Sequence, residues 1–328
     1  MKLEETHSEE EIRKCQEANY PTWGKPLSLV EYQERDWSTY RSDYMGDNHH
    51  YFVIRNEENR EIESSCEILI RDCWVKKLGE SKTVSAKCAV IGSVFTSEKY
   101  RGKGNASFMM KELNKLLDTV YCTGERDVAF LYSEIGNYYE QFGYKTKHVP
   151  VYKLNPLDYY QEDAHIYKYD IITDKYDDVI NSMNLALTKE LSCDGNLFAL
   201  IPNSQIFDWF NRRSNVTFKA IHKTQEPLVN GFSFIDENGL FNYITFTIAY
   251  QHSECNLLSI AVHGKNQQRQ LLSLVSQYCI KYNIQEIFVW HTSLDLSATE
   301  KQHQNGSISG IRSKIDVDWV MNEKWCWF

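Results

Sequence analysis

A glycine-containing loop between an apolar strand and an amphipathic helix constrains the fold of this chain more than any other feature. The loop follows a strand predicted over residues 87–95 and reads Arg101-Gly102-Lys103-Gly104-Asn105-Ala106. In the helix after it, apolar residues recur at spacings of three and four, as on a helix that lies on a sheet. Such a unit points the first N–H groups of the helix at one place, where a phosphate can bind. The sequence therefore predicts an α/β fold with a mixed sheet and a phosphate-binding loop.

The residue types in this loop suit a pyrophosphate. Gly102 and Gly104 remove side chains that would collide with the anion, and Ala106 keeps the helix close to the strand. Arg101 or Lys103 can add positive charge. A six-residue match by itself fits an ordinary basic loop equally well, so a second element is needed to decide.

The second element begins about thirty residues further on, where a strand over residues 128–132 leads into a short helix over residues 137–142. The helix region reads Tyr138-Tyr139-Glu140-Gln141-Phe142-Gly143-Tyr144. Together the two elements resemble the GNAT superfamily of N-acetyltransferases, whose R/Q-x-x-G-x-G/A and F-Y-E-x-x-G-F signatures they match. The same region, with Val94-Phe95-Thr96 and Leu131-Tyr132-Ser133-Glu134-Ile135-Gly136, is most similar to the fungal free-lysine acetyltransferase family.

The resemblance implies a GNAT fold whose sheet is splayed between the strands 87–95 and 128–132, with acetyl-CoA in the gap. Backbone groups of Val94, Phe95 and Thr96 would pair with the pantetheine arm, and the loop residues 101–106 would hold the pyrophosphate. The family's tyrosine falls on Tyr139, whose hydroxyl would protonate the departing thiolate of coenzyme A. Simple packing is the alternative role of Tyr139 in a chain this rich in tyrosine.

A base must remove a proton from the acceptor, because an amine attacks a thioester only when it is neutral. Glu134 follows the strand that flanks the acetyl group and is the first candidate, although an exposed helix-capping acid would look the same. Glu67 is the reserve candidate. Cys88 is a poor nucleophile, since its neighbours are apolar and no histidine partner is evident.

The acceptor implied by the resemblance is a small-molecule amine, the ε-amine of L-lysine, in the pathway of lysine breakdown. Two alternatives stay open. A polyamine or a protein amine could be acetylated with the same cofactor half, and a non-catalytic acyl-CoA sensor could keep the fold without turnover. Arg212, Arg213 and Lys219 could bind a substrate carboxylate, or each could be a solvated surface charge.

The length of 328 residues suits two domains. We place a GNAT catalytic domain over residues 1–152 and a C-terminal α/β domain over residues 153–328, which would shape the acceptor site. The order of strand, loop and helix recurs in the second part, with His263-Gly264-Lys265-Asn266-Gln267 in place of the phosphate loop. Because the second glycine is missing, we predict a degenerate GNAT-like copy and a single cofactor site.

Composition excludes other classes. A net charge of −9 argues against nucleic-acid binding through a basic surface. Nine cysteines without a CxxC pair indicate reduced thiols and no metal site. The pair His49-His50 is also a poor metal site, because neighbours on a strand point to opposite faces. No signal peptide or apolar run of about 20 residues is present, so we expect a cytoplasmic protein without membrane contact.

Overall fold

The computed structural model describes residues 1–162, 167–224 and 226–328. Its helices are α1 (Glu9–Trp23), α2 (Leu29–Tyr40), α3 (Asn105–Leu116), α4 (Pro156–Tyr159), α5 (Asp177–Glu190), α6 (Ser204–His222) and α7 (Lys265–Lys281). Its strands are β1 (Leu3–Thr6), β2 (His49–Arg55), β3 (Ile62–Lys76), β4 (Val84–Thr96), β5 (Val128–Ser133), β6 (Lys145–Thr146), β7 (Val151–Leu154), β8 (Asp170–Ile172), β9 (Leu197–Leu200), β10 (Gly231–Ile235), β11 (Phe241–Ala249), β12 (Glu254–Ala261), β13 (Glu286–Trp290), β14 (Gln302–His303), β15 (Ile308–Ser313) and β16 (Asp318–Trp319).

The described strands form two mixed sheets. In the first sheet the order is β1-β2-β3-β4-β5-β15-β6, and β9 with β16 extends it at β3. In the second sheet the order is β14-β7-β13-β12-β11-β10-β8. Each sheet has one long antiparallel hairpin followed by a parallel pair, β4 with β5 in the first sheet and β12 with β13 in the second.

One helix covers each central hairpin. Helix α3 buries Met109, Met110 and Leu113 against the first sheet, and α7 buries Leu271 and Val275 against the second. The period of the apolar residues in α3 matches the sequence prediction, since these side chains lie on one face of the helix.

A third cluster joins the two halves. It contains side chains of the first sheet, of α6 and of the C-terminal segment, among them Phe130, Phe207 and Trp325. Trp325 and Cys326 are fully buried here, whereas Trp327 and Phe328 line a cleft between the halves. The aromatic ending of the chain therefore contributes both to the core and to the cleft.

The sheets do not follow the domain boundary that we place between residues 152 and 153. Strand β7 spans that position and belongs to the second sheet. Strands β9 and β15 come from the second part of the chain and belong to the first sheet, paired with β3 and β5 respectively. The two-domain division stays a prediction, and its boundary has to be drawn by sheets and not at a single residue.

Several elements differ from the sequence prediction in extent. Helix α6 continues to His222, beyond the predicted end at Arg212, because Thr217 and Phe218 extend its buried face. The predicted helix over residues 137–142 is a 3₁₀ turn, Tyr138–Phe142, ended by Gly143 at φ 91°. Strands β9, β15 and β16 have no sequence counterpart in the prediction, because each is short and gains its stability from pairing with a distant strand.

The described residues contain neither a candidate membrane-spanning helix nor a candidate metal cluster. None of the helices that the structure describes is long and apolar enough to span a membrane. No group of three or more His, Cys, Asp or Glu side chains suited to a metal ion occurs in the described part of the chain.

Candidate active site

A gap opens in the first sheet between β4 and β5. The two strands pair in parallel from Cys88 with Val128 to Ile91 with Leu131, and the pairing ends there. Beyond this point β4 stays with β3 as far as Thr96, while β5 pairs with β15 on its other side. The strands therefore diverge at the place where the sequence resemblance implies a splayed sheet.

A bulge in β4 lies at the start of this gap. The register of β3 and β4 shifts between Ser65 and Glu67, and Ser93 has a positive φ of 49°. Neither neighbouring strand supplies a register partner for Ser93 or Val94. Because a bulge leaves backbone groups outside the ladder, this part of β4 can offer N–H and C=O groups to a ligand in the gap.

The loop after β4 leaves the N-terminus of α3 open. Gly102 and Gly104 have φ of 75° and 83°, and a Cβ added to either would meet no atom within 4 Å. Gly104 caps the helix without a side-chain hydrogen bond, and the first turn contains no acidic residue. The positive end of the helix dipole and its free N–H groups thus face open space, which favours an anion.

The charged and polar side chains of the loop have different surroundings. Arg101 is exposed and donates from Nε to the carbonyl oxygen of Thr96 at 3.1 Å, and Lys103 Nζ lies 5.1 Å from the centre of the Tyr100 ring. Asn105 is buried, and its Nδ2 donates to Glu63 Oε2 at 2.8 Å. Its side chain therefore fixes the loop to β3.

A cleft of about 840 Å³ joins the gap to the second half of the molecule. Val94, Tyr139 and Glu134 line it from the first half, and Asn256, Phe288 and Trp290 line it from β12 and β13. Phe95 is largely buried and contacts Trp23 with 5.6 Å between ring centres. The structure therefore brings Val94, Tyr139 and Glu134 to one cavity, which both halves enclose.

Tyr139 is 9% exposed and lies against Tyr138 and Tyr144, with ring centres 5.2 Å and 6.4 Å away. Burial raises the pKa of its hydroxyl above the ordinary value of 10, with Tyr138 as the next cause. The hydroxyl has no hydrogen-bond partner among the described residues. It is a protonated O–H group at neutral pH, which suits a proton donor.

The two carboxylates considered as bases lie in unlike surroundings. Glu134 is exposed on the cleft wall and forms no ion pair with any residue that the structure describes. Glu67 is buried and accepts hydrogen bonds from His49 Nε2 at 2.5 Å, from Tyr40 at 3.0 Å and from Ser93. Glu134 is the one with free lone pairs for an incoming amine.

The network around Glu67 was not foreseen in the sequence. Burial alone would raise the pKa of Glu67, but the hydrogen bonds from His49, Ser93 and Tyr40 and the charge of His49 outweigh it, so the pKa is lowered. His49 stacks on Tyr40, with 4.7 Å between ring centres. Since Ser93 sits in the bulge, this network holds β4 in the shape that opens the gap. The sequence offers no local signal for this network, because His49 and Ser93 reach Glu67 only through the pairing of β2, β3 and β4.

The sequence prediction also missed the cations that the second half brings to the cleft. Arg213 was named only as one of three charges that could bind a carboxylate, and Lys324 was not named. Both line the cleft, whereas Arg212 is exposed and paired with Asp208 at 2.6 Å. Nothing in the local sequence pattern distinguishes Arg213 or Lys324 from a solvated surface cation.

The structure is similar to solved GNAT enzymes over nearly its whole length. A GCN5-related N-acetyltransferase from Kribbella flavida matches with a TM-score of 0.58 and 15% identity, covering 95% of this chain and 72% of that chain. A conserved protein of unknown function from Enterococcus faecalis, described as a probable N-acyltransferase, matches with a TM-score of 0.62, 15% identity and the same coverage. With the splayed strands and the open helix, these matches define a GNAT fold, as predicted.

Sequence comparison adds a more specific relationship. A family described as the LYC1 GNAT-like C-terminal domain matches residues 171–328, so the prediction of a GNAT-like C-terminal part is confirmed. A lysine acetyltransferase of Yarrowia lipolytica is 31% identical over 160 residues, covering 44% of this chain and 40% of that enzyme. An uncharacterized protein of Saccharomyces cerevisiae is 26% identical over 394 aligned residues, covering 99% of this chain and 97% of the yeast protein.

Proposed function

We propose that the protein is an acetyl-CoA-dependent N-acetyltransferase that transfers the acetyl group to the ε-amine of free L-lysine. The observation that carries the proposal is the cleft that runs from the gap between β4 and β5 to the second half of the molecule. A thioester in the gap and an amine in the cleft would meet beside Tyr139 and Glu134.

The open loop and the bulge support the binding of acetyl-CoA. The N–H groups at the start of α3, with Arg101 and Lys103 nearby, suit the pyrophosphate. Val94 lies in the bulge, and Val94 to Thr96 lie beyond the last pair of β4 with β5, so backbone groups on that side suit the amide groups of the pantetheine arm. The bulge and the loop follow one another along the chain at the C-terminal end of β4, so one extended ligand could occupy both.

The proposed chemistry is a direct attack. The neutral amine nitrogen bonds to the acetyl carbonyl carbon, Glu134 accepts the proton that the amine loses, and the carbon–sulfur bond breaks. Tyr139 gives its proton to the thiolate sulfur, so that coenzyme A leaves as a thiol. On this proposal no cysteine is needed as a nucleophile, and Cys88 is fully buried.

The enclosure of the cleft supports a small acceptor. Its walls come from both sheets, from α6 and from the C-terminal segment, whereas a protein side chain would need an open groove. The Yarrowia enzyme that the chain resembles is a lysine acetyltransferase, which supports lysine as the small amine. On this proposal the reaction would serve lysine breakdown in the cytoplasm.

The test is acetyl-CoA-dependent thiol release by the purified protein with L-lysine, other amino acids, polyamines and a lysine-containing peptide. We expect release with L-lysine and a product acetylated at the ε-nitrogen, identified by mass analysis. Thiol release with only the peptide or only polyamines would show that the acceptor is one of these amines and not L-lysine. Tight acetyl-CoA binding without release for any amine would favour a non-catalytic sensor.

A further inference from the structure

Two cationic side chains in the cleft have no carboxylate partner among the described residues, unlike a neighbouring arginine. Arg213 on α6 and Lys324 in the C-terminal segment both line the cleft, and neither forms a salt bridge or a side-chain hydrogen bond within the described residues. By contrast Arg35, on the same cleft, is paired with Asp36 at 2.8 Å. The donors of Arg213 and Lys324 are therefore available to a ligand.

Aromatic rings hold the two cationic groups in place. The guanidinium carbon of Arg213 lies 5.2 Å from the centre of the Trp209 ring and 5.8 Å from that of Trp327. Lys324 Nζ lies 4.1 Å from the centre of the same Trp327 ring. Stacking on a ring fixes a cation without consuming its N–H groups. The two groups thus contact one ring, Trp327, and their donors stay unused.

The surroundings disfavour both charges when no anion is present. Burial lowers the pKa of Lys324 to about 8, and the charge of Arg213 is the next cause. Burial also lowers the pKa of Arg213, followed by the charge of Arg35. Two partly buried cations near each other lose free energy that a bound anion would restore.

The same cleft also contains two carboxylates without ion pairs in the described structure, Glu134 and Glu254. Both act on Lys324 through space and raise its pKa slightly against the larger causes. The cleft therefore offers separate positive and negative groups, which is the pattern that complements a zwitterion.

We propose that Arg213 and Lys324 form an anion subsite that binds the carboxylate of an amino-acid acceptor. The inference rests on the proposed function for the reaction itself, and it adds the residues that select an amino acid over a plain diamine. A guanidinium binds a carboxylate with two parallel hydrogen bonds, and an ammonium adds a third donor.

The kinetic test compares L-lysine with cadaverine, which is lysine without its carboxylate. In Arg213→Gln we expect kcat/KM for lysine to fall about tenfold to a hundredfold, as for loss of a hydrogen bond to a charged group, mainly through KM. The value for cadaverine should stay within about twofold. Arg212→Gln, which removes the exposed neighbour on the same helix, is the matched control and should leave both substrates unchanged.

A binding test keeps the inference independent of turnover. Norleucine has the carboxylate of lysine but no ε-amine, so its Kd can be measured by calorimetry even if no amine is acetylated. We expect weaker binding in Arg213→Gln and in Lys324→Met, with Arg213→Lys in between. Equal losses for lysine and cadaverine, or an unchanged Kd for norleucine in folded variants, would overturn the subsite. If Arg213→Gln fails to fold, Lys324→Met alone decides by the same criteria.

Discussion

The two halves of this protein repeat one arrangement and differ where an anion would bind. In the first half β4 leads through the loop 101–106 into α3, and in the second β12 leads through residues 262–264 into α7. Gly104 has a φ of 83° and faces open space. Gly264 is extended at φ −179°, and a Cβ placed on it would lie 2.4 Å from Gln267 Oε1.

The side chain of Gln267 accounts for this difference. It is buried and donates to Asp236 and Tyr167 at 3.3 Å, so it occupies the space that stays open in the first half. Parallel pairing also ends early in both halves, after Ile91 with Leu131 and after Asn256 with Phe288. On the proposed function, the comparison teaches that a splayed sheet alone would not make a cofactor site, since the loop would also have to leave the helix N-terminus free.

The largest expected effect comes from substitution of Tyr139, a residue that has no tyrosine counterpart in the second half. Tyr139 lies six residues after β5 ends, and at the same distance after β13 stands Leu296, which is buried. Tyr139→Phe should lower kcat about 10²- to 10⁴-fold, because the proton donor for the thiolate is lost. Acetyl-CoA affinity should stay within about twofold.

Steady-state kinetics at saturating substrate and calorimetry with acetyl-CoA measure these two quantities. Tyr138→Phe is the matched control, since it removes the hydroxyl of the neighbouring tyrosine, which shares a hydrogen bond with Ser107 Oγ at 3.2 Å and is not part of the cleft lining. Unchanged turnover in Tyr139→Phe would remove its catalytic role and leave packing as its function.

A smaller effect is expected from the same substitution made in both loops. Gly104→Ala should raise the Kd for acetyl-CoA about tenfold, since a left-handed φ costs alanine about 1 kcal/mol and the new methyl enters the anion space. Gly264→Ala should change that Kd by less than about twofold, because the new methyl displaces only Gln267 in the second half and leaves the loop 101–106 unchanged.

Calorimetry gives the Kd and the number of bound acetyl-CoA molecules for each variant, and thermal melting shows whether the fold persists. One molecule per chain is expected throughout. Weaker binding in Gly264→Ala, or a second bound molecule in the parent protein, would break the distinction between the halves.

The smallest effect is a pH dependence of acceptor binding, which tests what the second half contributes. Lys324 has its pKa lowered to about 8 by burial and then by Arg213, while Glu134 and Glu254 oppose the shift. Its ammonium is charged below that pH and neutral above it, so its attraction for a carboxylate is lost as pH rises through about 8. We expect the Kd for norleucine to rise about two- to fivefold between about pH 7 and about pH 9.

The control for this titration is Lys324→Met. Its Kd for norleucine should rise less over the same pH range, because the titrating ammonium is absent. Any ionisation of norleucine itself affects both proteins equally. Parallel pH profiles for the two proteins would show that Lys324 does not contact the carboxylate.

The sequence predicted the parts of the fold that depend on local pattern. The loop 101–106, the apolar face of α3 and the turn ended by Gly143 are written in adjacent residues, and the structure places them as expected. The strands β9 and β15 could not be foreseen, because short strands are specified by their distant partners. The same reason applies to Glu67, whose partners His49 and Ser93 are brought together only by sheet pairing.

Of the candidate site, Tyr139, Glu134 and Val94 do meet in one cleft, while their catalytic or binding roles stay predictions. Arg213 and Lys324 were beyond the reach of pattern, since they come from α6 and from the C-terminal segment. An exposed basic residue and a cleft cation look the same in a sequence. Only burial and the lack of a carboxylate partner distinguish Arg213 from Arg212.

The insertion of β15 between β5 and β6 also determines when the first half can fold during synthesis. Strand β5 cannot be covered on its outer edge until Ile308–Ser313 has left the ribosome. Until then the nascent chain would carry an open apolar strand edge, the kind of surface that chaperones bind and that pairs with other chains. The first half is thus translated early, but its sheet gains β15 only near the end of synthesis. We expect residues 1–152 made alone to aggregate.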